Sequence, residues 1–177
     1  MKTLSVRQTG FTLIELVVVI SIIAILAAVA LPRLIDAQRD ARVAKTNAIY
    51  GSFRSASTLA RARCELDLAA GGAPTGSDCR STPAVVMMDG HPVRMANHFP
   101  TATADGIDVA ADVNLAADSL TASNGTDTNS LGMSVPSRTF KVSGGGTPNG
   151  CRVTYLEAGL KGAVVVSAEV NVATDGC

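Results

Sequence analysis

The stretch FTLIELVVVISIIAILAAVAL, from Phe11 to Leu31, is 21 residues long and carries a single charge, that of Glu15. As a helix rising about 1.5 Å per residue it reaches roughly 31 Å, the thickness of a bilayer's hydrocarbon core. A chain that opens this way puts one helix in lipid and builds its soluble part from the residues C-terminal to it. Ahead of the run, the leader MKTLSVRQTG holds Lys2 and Arg7 and no acidic residue. The positive-inside bias therefore keeps residues 1–10 in the cytoplasm and sends the remainder outward.

A secretory signal peptide is the rival reading, because Ala28-Val29-Ala30 forms a small-x-small cleavage pattern. Three features oppose it. The run exceeds the usual ~7 to 15 residues of such a region, Glu15 stands inside it, and cleavage after Ala30 would put Pro32 second in the mature chain. Glu15 weighs most: a carboxylate well inside hydrocarbon costs on the order of 3 kcal/mol, so such residues are rare and mark function. The plain alternative is a Glu close enough to the membrane edge to snorkel.

The string GFTLIELVVVISIIAILAAVALP, Gly10 to Pro32, closely resembles the processing signal of type IV prepilins and of type II secretion pseudopilins. The resemblance implies a prepilin peptidase that cuts between Gly10 and Phe11 and methylates the new amino group of Phe11. It also implies that Glu15 counters that amine on a neighbouring subunit during assembly. A cation and a carboxylate that are each costly in lipid become less costly as a pair, so pairing would set the axial register of subunits. Gly10 suits a protease that needs an unhindered, extended backbone at the scissile bond. The implied partners are further copies in a helical filament, the prepilin peptidase, an inner-membrane assembly platform and, before assembly, the membrane itself. The implied location is the inner membrane first and the extracellular pilus afterwards.

Composition bounds the rest. Hydrophobic residues make up 47% and charged residues 17%, with no Trp, which is unusual for an enzyme pocket with large rigid walls. The net charge of zero hides an asymmetry. Residues 33–63 hold seven basic side chains against Asp36 and Asp40, whereas residues 64–177 hold six basic and twelve acidic ones. A basic stem and an acidic head suit subunits that pack one against the other, although a solvated helix face would look the same. An acidic head also argues against nucleic acid as a partner.

Four cysteines, Cys64, Cys79, Cys151 and Cys177, lie beyond the membrane segment, in the exported part, and read as two disulfides. Three connectivities exist; geometry favours neighbours, Cys64 with Cys79 and Cys151 with Cys177. Cys64 ends the long helix with Cys79 in the loop beyond, and an antiparallel return brings the tail at Cys177 beside Cys151.

Pro32 lies within the helical pattern and is expected to kink it. Beyond it an amphipathic helix is expected to Arg63, with Leu34, Ala37, Ala41, Ala44, Ala48, Phe53, Ala56 and Leu59 forming its packing stripe. Residues 69–83 read as a loop, and Asp89-Gly90 closes a hairpin over 84–96. A short helix is expected within 105–117, an exposed irregular stretch over 118–137, and three strands in RTFKV, CRVTYLEA and AVVVSAEVNV. The division is thus 1–10 leader, 11–31 membrane and polymerisation helix, 32–63 amphipathic helix, and 64–177 loop-rich sheet of the head. The fold class is α+β, a helix laid on an antiparallel sheet. PRLIDAQRDARVAK, MMDGHPVRMANHFPTATADGI and CRVTYLEA with the terminal Gly-Cys are most similar to pilins of the mannose-sensitive haemagglutinin (MSHA) type. That resemblance implies a type IV pilin fold and an extracellular pilus acting in attachment; the alternative it leaves is a pseudopilin of a type II secretion system forming a periplasmic pseudopilus.

No catalytic constellation is found. His91 and His98 stand seven apart with no Cys nearby, so zinc is not expected. Asp127, Asn124 and Asn129 lack the ordered, Gly-containing calcium loop. Asn124-Gly125-Thr126 matches a glycosylation sequon, weak evidence alone. Neither a metal, a cofactor nor an enzymatic activity is expected.

Overall fold

The structure is a computed structural model and describes residues 10–70, 76–144 and 150–177. It divides into two compact units, residues 1–39 and 40–177. One helix, α1 (Leu13–Ala69), contributes to both.

In the first unit every described residue is exposed, including the whole apolar run. Pro32 sits inside α1, whose helix runs on past it even though proline offers no N–H to the carbonyl of Ala28.

In the second unit α1 buries Thr46, Phe53, Ala56, Ser57, Ala60, Cys64 and Asp67, which recur at helical spacing and keep one face inward. The stripe read from apolarity is only part of this face. Phe53 and Ala56 are in it, but Leu34, Ala37, Ala41, Ala44, Ala48 and Leu59 are exposed. Polar residues take the remaining inward positions because their hydrogen bonds are met: Thr46 donates to the Arg42 carbonyl at 2.8 Å, and Asp67 accepts from Ser77 Oγ. The helix also runs past Arg63, so Cys64 lies inside its last turns.

Three strands, β1 (Ala84–Met88), β2 (His91–Ala96) and β3 (Phe99–Pro100), form one antiparallel sheet. The expected hairpin is present. Asp89 and Gly90 both take positive φ, 47° and 81°, as a two-residue turn matching the strand twist demands. A second sheet has the order β4-β5-β6-β9 and is built from β4 (Leu120–Thr128), β5 (Ser134–Val142), β6 (Arg152–Leu156) and β9 (Glu169–Ala173), all antiparallel. A small hairpin, β7 (Gly159–Lys161) and β8 (Val164–Val166), turns at Gly162.

Three further elements differ from expectation. Residues 118–137 are not irregular: nine of them form β4, paired along its length with β5. As an edge strand with only Leu120 buried, β4 is held by its backbone ladder and shows no apolar alternation. AVVVSAEVNV is not one strand, since Ser167 and Ala168 separate β8 from β9 and the two join different sheets. The short helix is a π-helical turn, Ala104–Asp108, continued by little more than one further turn that ends where Asp112 takes φ 50°.

The core of the head consists of three buried clusters. Phe53 packs on Phe140 with ring centroids 4.5 Å apart and joins Ile107, Val153 and Tyr155. Ala60, Cys64, Val86, Val93 and Met95 form a second cluster, and Leu120, Val142, Cys151 and Cys177 a third. The head is therefore α+β, a helix packed on antiparallel sheets.

Candidate functional site

At the N-terminus Gly10 is exposed and lies outside the helix, and among the described residues no atom beyond its chain neighbours comes within 4 Å of where a Cβ would stand. Phe11 is 79% exposed. Thr12 caps α1: its Oγ1 accepts from the Glu15 backbone N–H at 3.3 Å. The same hydroxyl lies 3.5 Å from Glu15 Oε2. The T-x-x-E spacing is that of a capping box, the sequence signal that points to this contact. Glu15 thus has a local role in starting the helix, while its carboxylate remains exposed among bare apolar side chains.

Beyond Glu15, Val17 to Leu31 is an uninterrupted apolar surface broken only by Ser21, which donates to the Val17 carbonyl at 2.7 Å. By length and composition α1 is long and apolar enough to cross a membrane. An exposed apolar area of this size has one physical use, contact with lipid or with other protein.

In the head, α1's basic residues are partly used internally. Arg42 Nε donates to the Cys177 carbonyl at 2.8 Å, and Lys45 Nζ donates to the Asp118 carbonyl. Arg138 and Asp108 form a buried, two-pronged ion pair at 2.6 and 2.5 Å, fastening β5 to the π-helical turn. Tyr155 donates to the Pro100 carbonyl at 2.7 Å, and burial pushes its hydroxyl's pKa well up. Glu157 accepts the Ala102 N–H at 2.7 Å; burial nonetheless holds its carboxyl above the ordinary range. The sequence marks none of these pairs, because each joins residues at least 30 positions apart.

The cysteines pair as Cys64–Cys79, with Cα atoms 5.4 Å apart, and Cys151–Cys177, at 4.8 Å. His98 Nδ1 lies 3.1 Å from Glu65 Oε1 on the surface, and His91 borders a separate hollow with Asp89 and Asp112. Among the described residues no three His, Cys, Asp or Glu side chains stand close enough to hold a metal.

A disulfide-bonded head behind an exposed apolar helix, with a carboxylate in that helix's first turn, defines the class of helix-anchored filament subunits. Residues 6–31 match the family described as the prokaryotic N-terminal methylation motif. The chain is 33% identical over 129 residues to the type IV narrow pilus major component PilA5 of Thermus thermophilus, covering 73% of this chain and 98% of that one. It is 45% identical over 69 residues to the fimbrial protein EcpB of Eikenella corrodens, covering 39% of each. No solved structure matches it significantly. This chain belongs to the type IV pilin family.

Proposed function

We propose that the chain is a structural subunit of an extracellular type IV pilus of the MSHA type, acting in attachment. The observation that carries the reading is the bare apolar half of α1 on a chain that aligns with nearly all of a pilus major component. Prepilin peptidase cuts between Gly10 and Phe11 and methylates Phe11. The inner membrane holds the subunit by Phe11–Leu31 until an assembly platform feeds it into a filament. There Glu15 meets the amine of a neighbouring Phe11. Release of Glu15 from Thr12 costs little, since the 3.5 Å contact is long and exposed. Pro32 removes one backbone hydrogen bond from α1 and makes a kink there easier.

Shear fractionation combined with intact-mass measurement tests this. The expected outcome is a sheared extracellular fibre containing the chain from methylated Phe11 to Cys177 with both disulfides closed. A chain that stays in the cell envelope after shearing would favour the secretion pseudopilus. A mass beginning at Leu31 would favour signal peptidase.

A further inference from the structure

A cleft of about 450 Å³ opens beside α1 in the head, where Tyr50, Arg54, Thr58 and Arg61 face Phe99 and the edge strand β9. Its two arginines are pre-set. The Arg54 guanidinium lies 5.6 Å from the Tyr50 ring centroid and donates to the Tyr50 hydroxyl at 3.1 Å; that of Arg61 lies 5.0 Å from the Phe99 centroid. Stacking fixes the planes and leaves N–H groups to spare. Their counter-charges are deficient. Among the described residues Arg54 has no carboxylate within ion-pair reach, and Arg61 has only Glu65 at 3.8 Å, which is closer to His98 at 3.1 Å. Glu169 lines the cleft too, but its carboxylate is taken by the backbone N–H and hydroxyl of Ser130. With an arginine over each aromatic ring and guanidinium N–H groups to spare, the cleft favours an acidic ligand.

The complementary groups exist on the same chain. Of the twelve acidic residues after position 63, eight accept a hydrogen bond or ion pair within the head. The four with no such partner among the described residues, Asp89, Asp112, Asp127 and Asp175, are all exposed. We propose that the Arg54–Arg61 cleft receives one of these four carboxylates from the head of a second copy. Receiver and donor are then different surfaces, so the contact is heterologous. It does not close on two copies and propagates along a fibre. The inference rests on the filament reading and adds to it a charged contact between heads, separate from the apolar helix.

The test is a charge swap in the full chain, read as sheared-fibre yield. The double variant Arg54→Glu, Arg61→Glu is expected to lower yield at least tenfold, while the envelope pool keeps its Phe11 N-terminus and both disulfides. Introducing Asp→Lys singly at 89, 112, 127 and 175 into that background should restore fibres for one of the four. Unchanged fibre yield in the double variant overturns the inference, and so does loss that none of the four reversals repairs. Absence of wild-type fibres would instead sink the filament reading, so the two failures are distinguishable. Unchanged fibre yield accompanied by lost cell attachment to an acidic saccharide would reassign the cleft to that ligand and overturn the second-copy proposal.

Discussion

Glu157 is the one carboxyl in the described part of the head whose affinity for protons is clearly altered: burial raises it, and the Ala102 N–H pulls the other way without cancelling the effect. A raised folded value means that, above the ordinary carboxylate value of about 4.5, the folded head holds the proton more tightly than the unfolded chain. Ionisation at Glu157 therefore subtracts stability as pH rises through that window, and the loss is absent below it. Glu157→Gln keeps an oxygen for Ala102 and removes the titration. The variant should match wild type near pH 4 and gain on it by pH 7.5, measured as the denaturant midpoint of the detergent-solubilised chain. An offset that stays constant between those pH values would show that Glu157 does not titrate differently on folding. Tyr155 moves the same way for the same reason, but its hydroxyl stays protonated throughout the physiological range.

Elements reveal where the sequence can and cannot be read. The apolar run and the Asp89-Gly90 hairpin are legible because each depends on neighbours in sequence: unbroken hydropathy in one, two residues able to take positive φ in the other. Strand β4 is not, since LTASNGTDT draws its order from pairing with β5 and its composition says only that it is exposed. The inward face of α1 is hidden at Thr46 and Asp67, whose burial depends on partners the sequence places elsewhere. Of the candidate site, Gly10, Phe11 and Glu15 are legible as a motif, whereas the Arg54–Arg61 cleft exists only once β9 and Phe99 are brought beside the helix. The same distinction separates two predictions. Asp108→Ala strips a buried guanidinium of its counter-charge, joining as it does the π-helical turn to β5. It should cost about 3 to 5 kcal/mol, with Asp108→Leu, Arg138→Met recovering most of it in the same unfolding assay; equal losses in both variants would refute the explanation. Glu15→Val leaves the head untouched and makes membrane insertion easier. It should nonetheless cut sheared-fibre yield by at least tenfold with the membrane pool intact, and a normal yield would remove Glu15 from assembly.

At the scale of the whole head, the last residue does more than end the chain. The antiparallel pairing of β6 with β9 returns the tail so that Arg152 lies opposite Ala173, and Cys177 then reaches Cys151 across that end of the sheet. Cys177 also touches the helix: its carbonyl accepts from Arg42 Nε at 2.8 Å, and its sulfur lies 3.9 Å from the hydroxyl of Thr46. Sheet, tail and helix are thus fastened at one point, with Leu120 and Val142 packed around it. The bridge spans 26 residues, for which loop-closure entropy gives about 3.5 kcal/mol, and the Cys64–Cys79 bridge spans 15, for about 3 kcal/mol. By entropy alone the two should be nearly interchangeable. Position separates them, because Cys64 and Cys79 tie the end of α1 to the loop beyond it, whereas β9 is an edge strand with β6 as its sole ladder partner among the described residues. Releasing the tail frees the strand that lines the charged cleft. Cys151→Ser, Cys177→Ser should therefore raise amide exchange in residues 169–173 and deplete the subunit from fibres more than Cys64→Ser, Cys79→Ser does, at comparable loss of unfolding free energy. Equal exchange in β9 for both double variants would show that the tail holds its place without the bridge.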